Sequence, residues 1–359
     1  MNGLLIGRCP KTAEQMSTFC NETIIVLDES FAKKRNLPEL KNFKIIHSEK
    51  SSRSCLGIFV RAKEIVSWVD AHDIDVLFTN TKWDMIAAKI ASFFTKKKTI
   101  LCSTSHNSYA WQNLINVFIM SILIRVTTDI YIALASFVER RLLKFGLKER
   151  NLILLPNTID ERGWQKKTNY TISNRIRLVY LAAVYPEKRQ DFILNLIRLL
   201  QGKYDIEADC YGEKSGFLNY VEDMEKKSES WGLQDRFRLL GEIENESLRL
   251  ILKDYDIYIS PSKMEMSPVN ILEAQAVGLP VIAANVGGVP DLITHNETGL
   301  LFEADNLQDA AKKLSYLIEN IDLRKTIGKF GRKYVSDIYN KQTAGKRLEY
   351  KIKKTIFSK

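Results

Sequence analysis

The chain has 359 residues, which exceeds what a single hydrophobic core usually holds, so we expect two domains. Its hydrophobic content of 45% and charged content of 27% are typical of a soluble globular protein, and its five scattered cysteines, without a Cys-x-x-Cys pair, argue against a disulfide framework or a zinc site and fit a reducing compartment. The formal net charge of +10 is concentrated in residues 1–160, where 22 Lys and Arg face 15 Asp and Glu, and this predicts an anionic partner (nucleic acid, anionic lipid or a phosphorylated acceptor) unless it is only a solvated lysine-rich surface.

The first half of the chain alternates short apolar runs with helical patterns. The apolar runs predict strands at residues 4–6, 23–27, 44–47, 75–79, 99–103, 129–133 and 152–155, and helical patterns fall near residues 13–19, 57–71, 84–94 and 137–145. Residues 1–7 lack the charged region and the long apolar run of a signal peptide. The alternation predicts a mainly parallel sheet with helices on both faces.

The most apolar run of the chain is Leu114–Ile124. It is 11 residues long and is followed by Arg125 and Asp129, so it is too short to span a bilayer. A buried helix is the interpretation that we favour for it. The alternative is a helix on a membrane surface, which the neighbouring Lys96–Lys98 and the basic first half would support.

The strand–helix alternation restarts after a polar linker at residues 160–174. Strands are predicted at residues 177–181, 206–211, 237–240, 257–260, 281–283 and 299–302, and helices near residues 191–200, 220–231, 245–252, 268–277 and 307–320. Two such units in tandem leave a cleft in which the carboxyl ends of both sheets can meet a ligand. No Gly-x-Gly-x-x-Gly follows any strand, which disfavours a dinucleotide-binding oxidoreductase.

Two Asp-x-Asp sequences imitate a metal-binding motif of another fold. Asp73 and Asp75 lie at the entry to one predicted strand, and Asp254 and Asp256 lie at the entry to another. Ligands of a parallel sheet bind at the opposite, carboxyl ends of its strands. We therefore expect these residues to begin strands, and we expect no divalent metal.

Two carboxylates stand eight positions apart in the second half, on either side of a predicted helix start. Glu265 falls in the loop after strand 257–260, and Glu273 falls about one turn inside the following helix. Ser267 is the predicted N-cap and Pro268 the predicted first helical residue. Two carboxylates can accept hydrogen bonds from hydroxyls, and a helix start offers N–H groups to a phosphate. Hydroxyls beside a phosphate describe a sugar nucleotide.

The sequence around these glutamates resembles that of the retaining GT-B glycosyltransferases of family 4 (glycosyl transferases group 1). The matching string is Pro-Ser…Glu-x-x-Pro-x-x-x-Leu-Glu-Ala-x-Ala-x-Gly-x-Pro-Val, followed by Gly-Gly-x-Pro and Thr-Gly-Leu-Leu, within residues 152–335. The resemblance implies two Rossmann-like domains that face each other across a cleft. It implies an acceptor-binding domain at residues 1–160, a nucleotide-sugar-binding domain at 161–337, and a terminal helix at 338–359 that packs back on the first.

The resemblance also implies roles for individual residues. Glu265 would bind the donor sugar, Lys188 would neutralise the leaving diphosphate, and His106 would line the sugar pocket from the first domain. The implied donor-binding residues are Glu273, Arg189, Met266, Ser267, Pro268, Val269, Asn270, Leu272, Gly212 and Gly241. No cofactor and no metal are implied, and a UDP-sugar is favoured over a GDP-sugar.

The implied activity is that of a metal-independent hexosyltransferase with a saccharide acceptor. By analogy with the family, we expect a role in bacterial capsule, exopolysaccharide or O-antigen synthesis. The basic first half of the chain adds to the expectation of a polyprenyl-diphosphate-linked acceptor. The expected location is the cytoplasm, with peripheral attachment to the anionic inner face of the cell membrane, and no nucleic acid is expected as a partner.

The chain departs from the family pattern at two places. Ala182-Ala183 stands where members often carry Gly-Arg, and Arg8–Thr12 replaces a glycine-rich loop. Because of the first departure, the chain could instead be a scaffold or a partner subunit with weakened catalysis. A sugar-nucleotide epimerase on a similar fold is a further alternative.

Overall fold

A computed structural model describes residues 2–6, 20, 22–28, 43–48, 55–105, 111 and 113–357. The chain forms two compact units: residues 1–158 together with 341–359, and residues 159–340. The backbone therefore passes from one unit to the other twice, after Thr158 and after Asn340. The two units are named unit 1 and unit 2 below.

Unit 1 contains a seven-stranded parallel sheet in the order β3-β2-β1-β4-β5-β6-β7. Its strands are β1 Asn2–Ile6, β2 Glu22–Asp28, β3 Phe43–Ser48, β4 Val76–Thr79, β5 Ile100–Thr104, β6 Ile130–Ala133 and β7 Leu152–Leu154. Each pair of neighbouring strands runs parallel, as the strand–helix alternation predicts. Every residue of the strands β4, β5 and β6 is buried.

The described helices of unit 1 are α1 Cys55–Ala71, α2 Lys82–Ala91, α3 Leu114–Thr127, α4 Ser136–Lys144 and the C-terminal α12 Lys341–Phe357. The connections from β3 to β7 all advance in one direction across the sheet. Right-handed crossovers then place α1 to α4 on one face of the sheet, as a single layer. The core of this layer joins Ile58 and Ile65 of α1 to Leu77 and Leu101 of the strands.

Helix α3 differs from the buried helix that we favour from its sequence. Its buried positions are Val117, Ser121, Ile124 and Thr127, while the large apolar side chains on its other side are exposed. The small Ser121 and Thr127 satisfy their hydroxyls on the helix's own carbonyls of Phe118 and Leu123, each at 2.7 Å. The expectation of a buried helix is therefore wrong. Apolar side chains occur on both sides of this helix, and only one side packs against the rest of unit 1. Among the described helices, none has the length and hydropathy needed to cross a bilayer.

Unit 2 contains a six-stranded parallel sheet in the order β10-β9-β8-β11-β12-β13. Its strands are β8 Ile176–Leu181, β9 Ile206–Tyr211, β10 Phe237–Gly241, β11 Ile257–Ser260, β12 Val281–Ala284 and β13 Leu300–Phe302. Its helices are α5 Gln190–Leu200, α6 Leu218–Ser230, α7 Asn245–Ile251, α8 Val269–Val277, α9 Val289–Leu292, α10 Leu307–Glu319 and α11 Ile321–Ile338. Each sheet with its helices is a Rossmann-like domain, and this confirms the predicted fold class.

Helix α8 is bounded by proline and glycine. Pro268 is the N-cap and Val269 the first helical residue, so the helix begins one residue later than predicted. Gly278 ends the helix at φ 86°, ψ 22°, in the left-handed conformation that glycine commonly adopts just after a helix. Pro280 then leads into β12.

A buried arginine joins three segments of unit 2. The Arg324 guanidinium donates to the carbonyls of Leu317 and Ile318 at the end of α10, at 2.6 and 2.7 Å. It also donates to the carbonyl of Tyr170 at 2.9 and 3.0 Å. Burial lowers the pKa of Arg324 from its ordinary value. The cation thus caps the last turn of α10 and fixes the segment that leads into β8.

Candidate functional site

The two loops that carry Lys188 and Glu265 meet because their strands are neighbours. β8 pairs with β11, and each strand is followed at its carboxyl end by one of the loops. Lys188 ends a short 3₁₀ turn, Pro186–Lys188, and Glu265 lies between β11 and α8. The N–H of Lys263 donates to the carbonyl of Glu187 at 2.9 Å, which ties the loops together.

Glu265 and Lys188 form an ion pair. The Lys188 Nζ lies 2.5 Å from Glu265 Oε1. Glu265 is only 8% exposed, and a carboxylate so buried needs charged or hydrogen-bonded partners. These residues are 77 positions apart in the sequence, and the structure brings them into direct contact.

Two hydroxyls, of Ser262 and Tyr180, form a chain of hydrogen bonds that ends on the Glu265 carboxylate. Ser262 Oγ donates to Glu265 Oε1 at 2.7 Å, and Tyr180 Oη lies 2.7 Å from Ser262 Oγ. Because the single proton of Ser262 goes to the carboxylate, Ser262 accepts from Tyr180. Burial, with the charge of Glu265, raises the pKa of Tyr180 well above its ordinary value, so the phenol keeps its proton. Both hydrogen bonds to the Glu265 carboxylate within the described chain end on Oε1, which leaves Oε2 to face other groups.

Gly287 holds the backbone of Glu265 in place. Its φ is 53°, and a Cβ added there would lie 2.0 Å from the Glu265 carbonyl oxygen. The N–H of Gly288 donates to that same oxygen at 3.0 Å. Glycine is thus needed at position 287, because its backbone packs directly on the Glu265 loop.

Glu273 lies in the first turns of α8, on the same side of the sheet end. Burial raises the pKa of Tyr258 well above its ordinary value, and Tyr180 and the charges of both Glu265 and Glu273 add to that shift. Tyr258 is on β11, and its ring meets the Tyr180 ring edge-on at 6.3 Å. Both glutamates therefore lie near Tyr258.

Several predicted donor-binding positions line the same loop and helix start. Asn270 is pinned, because its Nδ2 donates to the Leu181 carbonyl at 2.5 Å and its Oδ1 accepts from the Ile271 N–H at 2.9 Å. The first of these bonds docks the start of α8 onto the end of β8, and the second lies within α8. The other members of the segment are buried or nearly so: Met266, Ser267, Pro268, Val269 and Leu272.

Arg189 is engaged by carboxylates. Its guanidinium donates to Asp191 at 3.1 and 3.3 Å and also to Asp305. Its backbone has φ 57° and ψ 44°, which is unusual for a residue with a side chain. Arg189 thus connects the Lys188 turn to α5, and the carboxylates of Asp191 and Asp305 neutralise its charge.

Gly212 and Gly241 bring three strand ends together. The Gly212 N–H donates to the Gly241 carbonyl at 2.7 Å, and the Ala182 N–H donates to the Tyr211 carbonyl at 2.9 Å. A Cβ on Gly212 would lie 2.0 Å from the Ala182 carbonyl oxygen. The backbone of β9 can approach β8 this closely only because residue 212 is glycine.

Some predictions fall elsewhere. His106 and the Arg8–Thr12 loop lie outside the described residues. The two Asp-x-Asp sequences precede β4 and β11, as predicted; Asp75 binds Lys97, and Asp256 accepts from the Arg177 N–H at 2.8 Å. Within the part of the chain that the structure describes, no three His, Cys, Asp or Glu residues are grouped so that they could hold a metal ion.

Sequence reasoning missed Ser262 and Tyr180. Ser262 belongs to the Pro-Ser pair that the family string contains, so a signal was present without a role attached to it. Tyr180 had no signal, since a tyrosine in an apolar strand is indistinguishable from a core residue. Only the pairing of β8 with β11 brings its hydroxyl to Ser262.

Two family models match the chain. The model described as glycosyl transferases group 1 matches residues 164–334, and the model described as glycosyltransferase family 4 matches residues 23–162. Together they span most of both units.

Individual proteins match over most of the chain. A GDP-mannose-dependent alpha-(1-6)-phosphatidylinositol monomannoside mannosyltransferase from Mycobacterium tuberculosis is 24% identical over 80% of this chain and 77% of its own length. Anabaena Alr3699/HepE, solved in complex with UDP and glucose, superposes with a TM-score of 0.79 at 18% identity, over 99% of this chain and 100% of that one. A glycosyltransferase from Rickettsia africae superposes with a TM-score of 0.83 at 18% identity, over 99% and 98%.

Proposed function

Because this chain belongs to glycosyltransferase family 4 and has the GT-B fold, we propose that it moves a hexose from a nucleoside diphosphate sugar to a saccharide hydroxyl with retention at the anomeric carbon. Transfer of a sugar from a nucleotide donor is the family's activity. The observation that carries the finer proposal is the buried contact between Lys188 and Glu265, which unites a cation for the diphosphate with an acceptor for sugar hydroxyls.

In the proposed reaction the glycosidic bond to the diphosphate breaks as the acceptor oxygen bonds to the same face of the sugar. Lys188 and the N–H groups at the start of α8 neutralise charge that develops on the leaving diphosphate. Glu265 accepts from donor-sugar hydroxyls and Glu273 from the ribose. The departing phosphate oxygen takes the acceptor's proton, so no protein nucleophile is required.

The proposed donor is a UDP-sugar. HepE was solved with UDP and glucose, which favours a uridine nucleotide, whereas the mycobacterial relative is named for GDP-mannose. A thermal-shift panel of UDP- and GDP-sugars tests this choice, since a ligand that binds the folded state raises the unfolding temperature. Stabilisation by GDP-mannose alone would contradict it.

The proposed acceptor is a polyprenyl-diphosphate-linked saccharide in cell-surface polysaccharide synthesis, met at the inner face of the cell membrane. The mycobacterial relative is named for a phosphatidylinositol mannoside, which is also a lipid-borne saccharide. The excess of Lys and Arg in residues 1–160 favours both a diphosphate linkage and an anionic membrane.

The reaction is tested by donor turnover. We expect Glu265→Gln and Lys188→Ala each to reduce transfer at least about a hundredfold, because each removes a charge-assisted contact from a buried site. We propose that no metal takes part, so EDTA should leave the rate unchanged. NMR of the product assigns the anomeric configuration, and inversion would contradict the retaining mechanism.

A second candidate is a partner subunit with weakened catalysis. Ala182-Ala183 stands where relatives often carry an arginine, and Arg189 is occupied by Asp191 and Asp305. A purified chain that binds its donor but neither hydrolyses nor transfers the sugar would favour this alternative.

A further inference from the structure

The exposed side of helix α3 reverses the usual arrangement of a surface helix. Its outward residues Ile115, Phe118, Ile119, Ile122 and Val126, named here the α3 face, are all large, apolar and exposed. Their spacing of three, one, three and four residues places them along one line of the helix surface. The polar Ser121 and Thr127 lie on the buried side instead. A contiguous apolar surface of this kind marks an interaction site.

Exposed aromatic and basic residues follow the helix that packs beside α3 on one side. Helix α2 packs beside α3 in the same layer, and Phe93 and Phe94, which follow α2, are exposed. Lys96 and Lys98 come directly after them and are exposed as well. Residues 82–98 contain five lysines and one acidic residue.

The other side of the α3 face has the same composition. The ring of Phe145 lies 6.0 Å from that of Phe118, and Phe145 stands between the exposed Lys144 and Lys148. Residues 114–151 carry six Lys or Arg against three Asp or Glu. An apolar centre is thus flanked by positive charge along both neighbouring segments.

We propose that the α3 face is a docking surface for an anionic lipid membrane, with Ile119 and Ile122 entering the headgroup boundary and Lys96, Lys98, Lys144 and Lys148 contacting the lipid phosphates. Apolar side chains between basic ones match the two layers of a lipid surface in both polarity and charge. A second copy of the chain fits less well, because a symmetric contact would bring two basic rims together. The inference rests on the proposed function only in expecting the acceptor at a membrane.

The test is flotation of the full chain with vesicles. Vesicles of phosphatidylethanolamine with about 30 mol% phosphatidylglycerol should carry the protein at about 0.15 M salt, and phosphatidylcholine vesicles should carry much less. The double variant Ile119→Gln with Ile122→Gln should lower partitioning at least about tenfold, because two apolar side chains no longer enter the boundary.

A matched control uses equally exposed apolar residues of unit 2. Leu250 and Leu199 are 53% and 42% exposed, against 54% and 42% for Ile119 and Ile122. Leu250→Gln with Leu199→Gln should float like the wild type. A separate rim variant, Lys144→Gln with Lys148→Gln, should bind the anionic vesicles roughly fivefold less per lysine and should leave the weak binding to phosphatidylcholine unchanged.

Three results would overturn the inference: a wild-type chain that floats with neither vesicle, a face variant that floats like the wild type, or a dimer in light scattering that the face variant abolishes without any flotation. Donor-induced thermal stabilisation is measured on the same samples. A face variant that keeps its donor response but no longer floats supports the docking surface. A wild type that floats without responding to any sugar nucleotide counts against the proposed function alone.

Discussion

Within the described residues, the donors that orient Glu265 bond to one of its two carboxylate oxygens, Oε1. Tyr180 donates to Ser262, and Ser262 and Lys188 donate to Oε1 at 2.7 and 2.5 Å. Each donor is itself buried or partly buried, so the carboxylate has little freedom to rotate. A carboxylate fixed in this way can present its second oxygen to a ligand at a constant angle.

Substitution of Ser262 tests this orientation. We expect Ser262→Ala to lower kcat roughly 10- to 100-fold, because a hydrogen bond to a charged group contributes about 1.5–3 kcal/mol. KM for the donor should change less, since Lys188 and the start of α8 remain. Steady-state kinetics with varied donor separates the two parameters.

The conservative variants provide the controls. Ser262→Thr keeps the hydroxyl and should recover most of the rate, and Tyr180→Phe should have a smaller effect than Ser262→Ala. Equal loss in the Ala and Thr variants would indicate a packing defect and would exclude an orienting hydroxyl.

Gly287 offers a second test at the same scale. We expect Gly287→Ala to destabilise unit 2 by at least about 2 kcal/mol, since its φ of 53° disfavours a side chain and the Cβ would overlap the Glu265 carbonyl. This corresponds to a fall of roughly 4–8 °C in unfolding temperature for a unit of this size. Gly202→Ala is the control, because a Cβ there meets nothing within 4 Å. Equal melting of the two variants would contradict the close packing.

At the residue scale the sequence indicates charged partners better than neutral ones. Glu265 and Glu273 are recognisable because they flank a predicted helix start, and Lys188 is recognisable through the family resemblance. Tyr180 is not, since its function depends on one hydroxyl that only the packed sheet positions. The assigned roles of the predicted residues in donor binding stay predictions.

At the scale of elements, the described strands and most of the described helices follow the predicted periodicity, but the 18-residue helix α11 was not predicted, and the helix predicted near residues 13–19 lies outside the described residues. Most of their ends shift by one or two residues, as at Pro268, where the choice between N-cap and first helical position depends on backbone geometry, and α2 ends three residues before its predicted end. Helix α3 is the larger departure. Its apolar run gives no periodicity from which a buried side could be chosen, so the exposed face could be found only from the packed layer.

The cap that Arg324 places on α10 can be tested by substitution. Arg324→Met should destabilise unit 2 by about 2–4 kcal/mol, because three buried carbonyls lose their donor. Urea unfolding followed by the fluorescence of Trp164 and Trp231 reports on this unit. Lys325→Met changes the exposed neighbouring residue and should have no effect beyond about 0.5 kcal/mol. A similar loss in both variants would argue against the cap.

At the scale of the whole molecule, the chain leaves unit 1 after Thr158 and returns after Asn340. Helix α12 then packs on unit 1: Ala344, Leu348 and Ile352 are buried, and the side chains of Arg347 and Lys351 donate to the carbonyls of Leu154 and Glu149 at 3.0 and 2.9 Å. The parallel sheets were predictable from local patterns. The packing of α12 on unit 1 was suggested only by the family resemblance, because an amphipathic pattern does not indicate which surface its apolar side will contact.

Removal of α12 should therefore affect one unit only. A chain that ends at Asn340 should lose stability in unit 1, where the truncation exposes apolar surface, while unit 2 should unfold as in the full chain. Trp68, Trp83 and Trp111 report on unit 1, and hydrogen exchange resolves both units. Faster exchange throughout residues 159–340 would contradict two independent cores.

The double crossing also has a consequence for synthesis on the ribosome. Residues 159–340 are complete and can fold while the nascent chain is still being extended, whereas the first 158 residues must wait for a helix that is translated 182 residues later. Until α12 emerges, Leu154 and Glu149 lack their Arg347 and Lys351 donors, and the surface that α12 covers stays open. Unit 1 is thus completed after unit 2, even though most of it is made first.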